Sequence, residues 1–173
     1  MSSNSILKEK LVDCEALKFG KFTLTSGKES GYYVNMKLAS TNPDILKLIS
    51  KEFSKLIPEG TDFIAGMELG AVPLAVALSL ETGLPYTMIR KGERNHGTGS
   101  RLEGPSVGKA ILVDDVATTG GSNVESLDVL LDEGIEVTKI IVVVDREEGA
   151  AEKLGKYKVP FESLISASEL SGK

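Results

Sequence analysis

The sequence predicts an α/β fold, a central and mostly parallel sheet flanked by helices. Two observations carry this expectation. Short apolar runs alternate with helical patterns from residue 42 to residue 165. The central runs, residues 63–66, 110–113 and 139–144, are apolar almost without a break, which marks strands buried on both faces. The size is also right: 173 residues, 41% hydrophobic and 26% charged, are enough for one globular domain with a real core.

In order along the chain, residues 5–17 read as an amphipathic helix, with Ile6, Leu7, Leu11, Cys14 and Leu17 at helical spacing. Residues 19–37, FGKFTLTSGKESGYYVNMK, begin with turn formers and end with β-formers, so a turn leads into a strand over 32–36. These first forty residues break the alternation and are expected to form a small N-terminal hood over the sheet. Pro43 near the start, followed by Ile45, Leu46, Leu48, Ile49, Phe53 and Leu56, gives a helix of about four turns. A buried strand over 63–66, an apolar helix over 72–80 and a strand over 86–89 follow.

Residues 91–108 lose all periodicity, carrying Gly92, Gly97, Gly99, Gly104 and Gly108 among many charges. A loop this long inside a compact domain is usually functional or disordered. Order resumes with a strand over 110–113, a helix over 122–131, a strand over 139–144, a short helix over 150–154 and a strand over 161–165. No internal repeat, low-complexity tract or linker interrupts the chain, so residues 1–173 are expected to form a single domain.

Composition excludes several classes. The net charge is −5, from 20 basic and 25 acidic residues, so no global basic field gathers nucleic acid or an anionic membrane. An anionic substrate would need positive charge concentrated locally. Lone Cys14 cannot build an intrachain disulfide framework and reads as a packing residue in a reducing compartment. Lys8, Lys10, Asp13 and Glu15 interrupt the N-terminal apolar residues, and no apolar run approaches a membrane span. A cytoplasmic location is expected.

The most informative segment is ILVDDVATTGGS, residues 111–122. An apolar strand runs into Asp114 and Asp115, then through Val116 and Ala117 into Thr118, Thr119, Gly120, Gly121 and Ser122, where a helix begins. Doubly wound sheets bind ligands at the carboxyl ends of their strands. Free N–H groups and the helix dipole favour an anion there, glycine lets backbone approach it, and hydroxyls add donors. Two carboxylates would repel a phosphate beside them but accept hydrogen bonds from hydroxyls, or face a hydrated cation. A sugar with two hydroxyls and a 5′-phosphate has this pattern of groups. A capped helix after a strand-end turn is the plainer alternative for TTGGS. Two adjacent acids after a buried strand fit it less well.

VDDVATTGGS resembles the phosphoribosyl pyrophosphate (PRPP) motif of the type I phosphoribosyltransferases. No Walker A or dinucleotide fingerprint is present. Three further segments are similar to orotate phosphoribosyltransferases. MIRKGERNHGTGSRLEG, residues 88–104, resembles their mobile catalytic loop through Arg90, Lys91, Arg94, His96 and Gly97. VVDREEGA, residues 143–150, resembles the segment whose arginine binds the orotate carboxylate, here Arg146. FGKFTLTSGKESGYYVNMK resembles their N-terminal pattern.

The resemblance implies a type I phosphoribosyltransferase-like fold, with Lys91, Arg94, His96, Asp114 and Asp115 catalytic. Arg90 and residues 116–122 would join them in binding PRPP, and Thr118 and Arg146 would bind orotate. It also implies Mg²⁺ held through substrate and water rather than by a protein cage, and a homodimer sharing the loop of residues 90–104 across its interface. Two positions depart from better-known bacterial members. Thr25 and Gly70 stand where those carry lysine, and Arg94 replaces a lysine while keeping the charge.

The residue chemistry agrees with this reading. Arg90, Lys91, Arg94 and His96 suit the charge that builds on departing pyrophosphate. The loop glycines suit opening for substrate and closing against water. A solvated charged loop is the alternative for this segment. Arg146 suits bidentate carboxylate binding, or a structural ion pair with Glu147 or Glu148. The expected activity is transfer of phosphoribose from PRPP to orotate. A purine or uracil phosphoribosyltransferase, or a PRPP-sensing nucleic-acid-binding regulator, stand as alternatives. No helix-turn-helix segment or basic stripe supports the regulator.

Overall fold

The pairing of strands explains why the chain alternates as it does. The computed structural model describes residues 3–23, 29–92 and 100–171. In chain order, α1 (Ser3–Asp13) leads into β1 (Leu17–Thr23) and β2 (Glu29–Val34), then α2 (Met36–Ser40) and α3 (Pro43–Ser54). The sheet begins with β3 (Phe63–Met67), α4 (Ala71–Thr82) and β4 (Tyr86–Ile89), followed by β5 (Leu102–Glu103). β6 (Lys109–Ala117), α5 (Gly121–Asp132), β7 (Glu136–Asp145), α6 (Ala150–Gly155), β8 (Phe161–Ser166) and α7 (Ala167–Ser171) complete the order.

β1 and β2 form an antiparallel ribbon, and the other strands form one sheet in the order β5-β4-β3-β6-β7-β8. All neighbours in that sheet run parallel except β5, which pairs antiparallel with β4. The chain moves outward from β3 to β4, then returns to β3's other side as β6. The strand order therefore reverses between β3 and β6, and a crevice opens at their carboxyl ends.

Alternate strand residues feed two cores, as a pleated strand requires. Ile111, Val113, Ile141 and Val143 pack with α1, α3, α4 and the ribbon on one face. Ala110, Leu112, Ile140 and Val142 pack with α5 and α6 on the other. All five residues of β3 are buried. Local chemistry sets the helix ends. The Asn42 side chain accepts hydrogen bonds from the Asp44 and Ile45 N–H groups, with Pro43 in the first turn of α3. α4 stops at Gly83, at φ 76°, whose N–H donates to Ser79 O.

The differences from the sequence expectation lie in the N-terminal ribbon, at β5 and at the ends of elements. The first helix ends at Asp13 rather than at 17. Glu15, at φ 60°, turns the chain, and Leu17 is buried in β1 instead. The segment read as a turn contains β1, stabilised by pairing Leu17, Lys18 and Phe19 with Val34, Tyr33 and Tyr32. The strand placed at 32–36 starts earlier, and Met36 opens α2. The long loop regains a ladder at β5, where Ile89 pairs with Leu102. β6 continues to Ala117, so both acids lie within the strand rather than beyond it. A last helix, α7, follows the final strand. Among the described residues no helix is long and apolar enough to cross a membrane.

This burial map makes a direct prediction. Ile141 is fully buried in β7, whereas Leu80 on α4 is 83% exposed. Ile141→Ala is expected to cost about 2–5 kcal/mol of unfolding free energy in a denaturant titration. Leu80→Ala should stay within about 0.5 kcal/mol of wild type in the same titration.

Candidate active site

Because β3, β4, β6 and β7 run parallel, their carboxyl ends deliver side chains to one edge of the sheet. At the end of β6, Asp114 is half-buried. Oδ1 accepts the Asp115 N–H at 2.9 Å, and Oδ2 accepts Asn123 Nδ2 at 2.9 Å. Asn123, on the first turn of α5, is 2% exposed. Burial pushes the Asp114 pKa up to about 7, and the neighbouring Asp115 carboxylate adds to the rise.

Asp115 is fixed differently. Its Oδ1 accepts the Val116 N–H at 2.7 Å. The segment after β3 passes so close that a Cβ built at Gly70 would lie 2.5 Å from Asp115 Oδ2. Any side chain at 70 therefore requires the carboxylate to move. Gly70 is one of the two positions where lysine is missing. The other, Thr25, lies outside the described residues.

Beyond β6 the chain makes an open cradle. Thr118, Thr119, Gly121 and Ser122 are exposed, while Gly120 is buried at φ 73°. A Cβ at Gly120 would sit 3.0 Å from the Cα of Ala150 at the start of α6, so both conformation and space call for glycine. α5 has no side-chain N-cap, and its first backbone bond runs from Val124 N–H to Gly120 O. Among the described residues no acceptor takes the N–H groups of residues 119–123. Such uncommitted donors at a helix start are suited to a phosphate.

At the end of β4, Arg90 and Lys91 are both exposed. The Lys91 N–H donates to Glu68 Oε1 at 2.7 Å, tying this corner to the segment after β3. Arg90 Nη1 lies 3.5 Å from Glu103 Oε1, a surface pair worth about 0–1 kcal/mol. Arg101 does more to place the corner. Its Nε donates to Arg90 O at 2.8 Å, its Nη2 pairs with Glu125 of α5 at 2.6 Å, and its carbonyl accepts the Arg90 N–H. The clamp thus joins the corner to the helix that starts at the cradle. Arg94 and His96 lie outside the described residues. Neither Arg90 nor Lys91 is bonded to Asp114 or Asp115.

At the end of β7, the Arg146 N–H donates to Ala117 O at 2.9 Å, which sets this residue beside the cradle. Its side chain is 10% exposed and pairs through Nε with Glu148 Oε1 at 2.9 Å. The guanidinium carbon lies 5.1 Å from the centre of the Tyr32 ring, which the ribbon supplies. Of the two carboxylates the sequence left open as partners, Glu148 makes the pair. Glu147 is turned away at φ 54° and accepts the Ser168 N–H and hydroxyl at the start of α7. The sequence reading missed Asn123, Arg101 and Tyr32. An asparagine three residues into a helix that follows paired acids was the one available signal.

Residues 40–169 match the family described as the phosphoribosyl transferase domain. An orotate phosphoribosyltransferase of Thermococcus kodakarensis is 52% identical over 163 residues, covering 91% of this chain and 88% of its own. The chain belongs to the orotate phosphoribosyltransferase family. Among solved structures, the orotate phosphoribosyltransferase of Aeropyrum pernix has a TM-score of 0.84 at 30% identity, covering 96% of this chain and 98% of its own. That of Mycobacterium tuberculosis in complex with PRPP has a TM-score of 0.80 at 27% identity, covering 98% and 99%. The type I phosphoribosyltransferase-like fold expected from VDDVATTGGS is therefore present. In this family member, the paired acids, the cradle and Arg146 line one edge of the sheet.

Two expectations follow from this geometry. With its pKa raised from 3.8 to about 7, Asp114 keeps, between those two pH values, a proton in the folded protein that the unfolded chain has released. Its contribution to stability is therefore lost as pH rises through that window. Thermal melts from pH 5 to 8 should show this decline, and Asp114→Asn, which cannot ionise, should flatten it. Gly120→Ala should lower the melting temperature and weaken PRPP binding together, because strain and contact with Ala150 fall on the cradle itself; calorimetric titration of PRPP checks the second effect.

Proposed function

We propose that this protein transfers the phosphoribosyl group of PRPP to orotate, giving orotidine 5′-phosphate and pyrophosphate for pyrimidine nucleotide synthesis. The observation that carries the reading is the position of Arg146. Its backbone stands beside the cradle, through the bond to Ala117, and its guanidinium is mostly buried, which supports a role for it against a base joined to the ribose. Adenine, guanine, hypoxanthine and uracil have no carboxylate for such a group; orotate does.

The residues divide the work. Residues 117–122 hold the 5′-phosphate through backbone N–H groups and hydroxyls. Asp114 and Asp115 accept hydrogen bonds from the ribose hydroxyls and favour the positive charge that develops on the ribose. The base nitrogen attacks C1 as the bond from C1 to the pyrophosphate oxygen breaks. Thr118 and Arg146 orient orotate for that attack. Arg90, Lys91, Arg94 and His96 stabilise the charge gathering on pyrophosphate. No covalent enzyme intermediate is required, so positioning and electrostatics provide the catalysis.

Among the described residues no group of three or more His, Cys, Asp or Glu side chains could hold a metal ion. The paired carboxylates fit a cation that arrives with its ligands, and Asp114 and Asp115 would contact Mg²⁺ through water and substrate oxygens. Bound there, Mg²⁺ would offset the charge of the pyrophosphate. A homodimer that shares the loop of residues 90–104, and a cytoplasmic location, complete the proposal.

Absorbance at the orotate band, followed with protein, PRPP and Mg²⁺, tests this reading, with the other four bases run in parallel. Orotate alone should be consumed, and only when PRPP and Mg²⁺ are both present. Arg146→Ala should lower kcat/KM for orotate by roughly a hundredfold, the loss expected when a buried charged hydrogen-bond partner is removed. Turnover of a neutral base but not of orotate would overturn the assignment.

A further inference from the structure

We infer that Glu148 and Tyr32 are positioning residues for the substrate base: together they turn the Arg146 guanidinium so that its Nη1–Nη2 edge faces the incoming carboxylate. This inference rests on the orotate reading above. Arginine can meet a carboxylate through two edges, Nε with one Nη or the two Nη atoms together. In this structure Glu148 Oε1 occupies Nε at 2.9 Å, so the side-on edge is taken. The guanidinium carbon lies over the Tyr32 ring, 5.1 Å from its centre, so the ring bounds it on that side. Among the described residues, no carboxylate is paired with the two terminal nitrogens.

Both supports are themselves held without any help from a ligand. Asp145, 8% exposed, accepts the Glu147 N–H at 2.9 Å, and Glu147 accepts the Ser168 N–H at 2.7 Å. The turn that carries Glu148 is thus pinned on its N-terminal side, at Asp145 and Glu147. Tyr32 is 7% exposed, paired with Phe19 in the ribbon, and its carbonyl accepts the Ser30 hydroxyl at 2.7 Å. A guanidinium held on two sides loses little further freedom when it binds, which is how preorganisation raises affinity. Glu148 also balances the Arg146 charge, at a place where an unpaired buried cation would be costly.

Steady-state kinetics with both substrates tests the inference on the full-length protein. Glu148→Ala should raise KM for orotate about tenfold or more, the scale of one lost hydrogen bond to a charged group. The KM for PRPP and kcat should change by no more than about twofold, because the cradle and the acids are untouched. Glu148→Gln retains an acceptor for Nε–H and should restore most of the orotate affinity. Tyr32→Phe keeps the ring and should resemble wild type, whereas Tyr32→Leu should share the orotate defect.

An orotate KM unchanged in Glu148→Ala, or KM values for orotate and PRPP that rise together, would overturn the positioning role while leaving the assigned reaction standing. A wild-type protein that consumes another base and not orotate would overturn both.

Discussion

β6 lies between β3 and β7 in parallel register, and that pairing is the constraint from which the site follows. Phe63 to Gly66 align with Ala110 to Val113, and Val116 and Ala117 align with Val144 and Asp145. With both flanking strands in step, the segment after β3 must pass Asp115, and the residue after β7 must emerge beside Ala117. Gly70 and Arg146 stand where they do for this reason. A slip of one residue would turn every side chain of β6 to the opposite face and exchange the residues of the two cores.

The charges are arranged in a sequence along the sheet edge. Acids occupy the middle, at Asp114 and Asp115, and cations stand on either side, at Arg90 and Lys91 beyond β3 and at Arg146 beyond β6. A molecule with an anionic group at each end and a hydroxylated, transiently cationic centre matches this order. Neutral donors fill the remaining place, because the cradle offers uncommitted backbone N–H groups and carries no lysine of its own. The arrangement explains how a chain of net charge −5 offers a site to a highly anionic substrate.

Much of this was legible in the sequence, and what was not has identifiable physical causes. Continuous apolar runs revealed β3, β6 and β7 because parallel strands buried on both faces leave no room for polar residues. The Thr/Gly segment revealed the cradle because close backbone approach and an uncapped helix start demand those residue types. β1 and β2 were blurred because glycine and polar residues interrupt their apolar pattern, and β5 because two residues are too few to show a period. The support of Arg146 by Tyr32 joins residues 114 positions apart, and the Arg101 clamp depends on Glu125 of another element. No local pattern encodes such contacts. The sequence left the partner of Arg146 open between two adjacent glutamates. The backbone decided it, since φ at Glu147 sends that side chain to α7 instead.

The closeness of Gly70 to Asp115 also bears on how such enzymes diverge. Relatives that carry a side chain at the equivalent of position 70 must seat the second acid differently, so the two positions cannot drift independently. A lysine introduced at 70 would need the Asp115 carboxylate to take another orientation, so a substitution there acts on the acid pair as well as on its own segment.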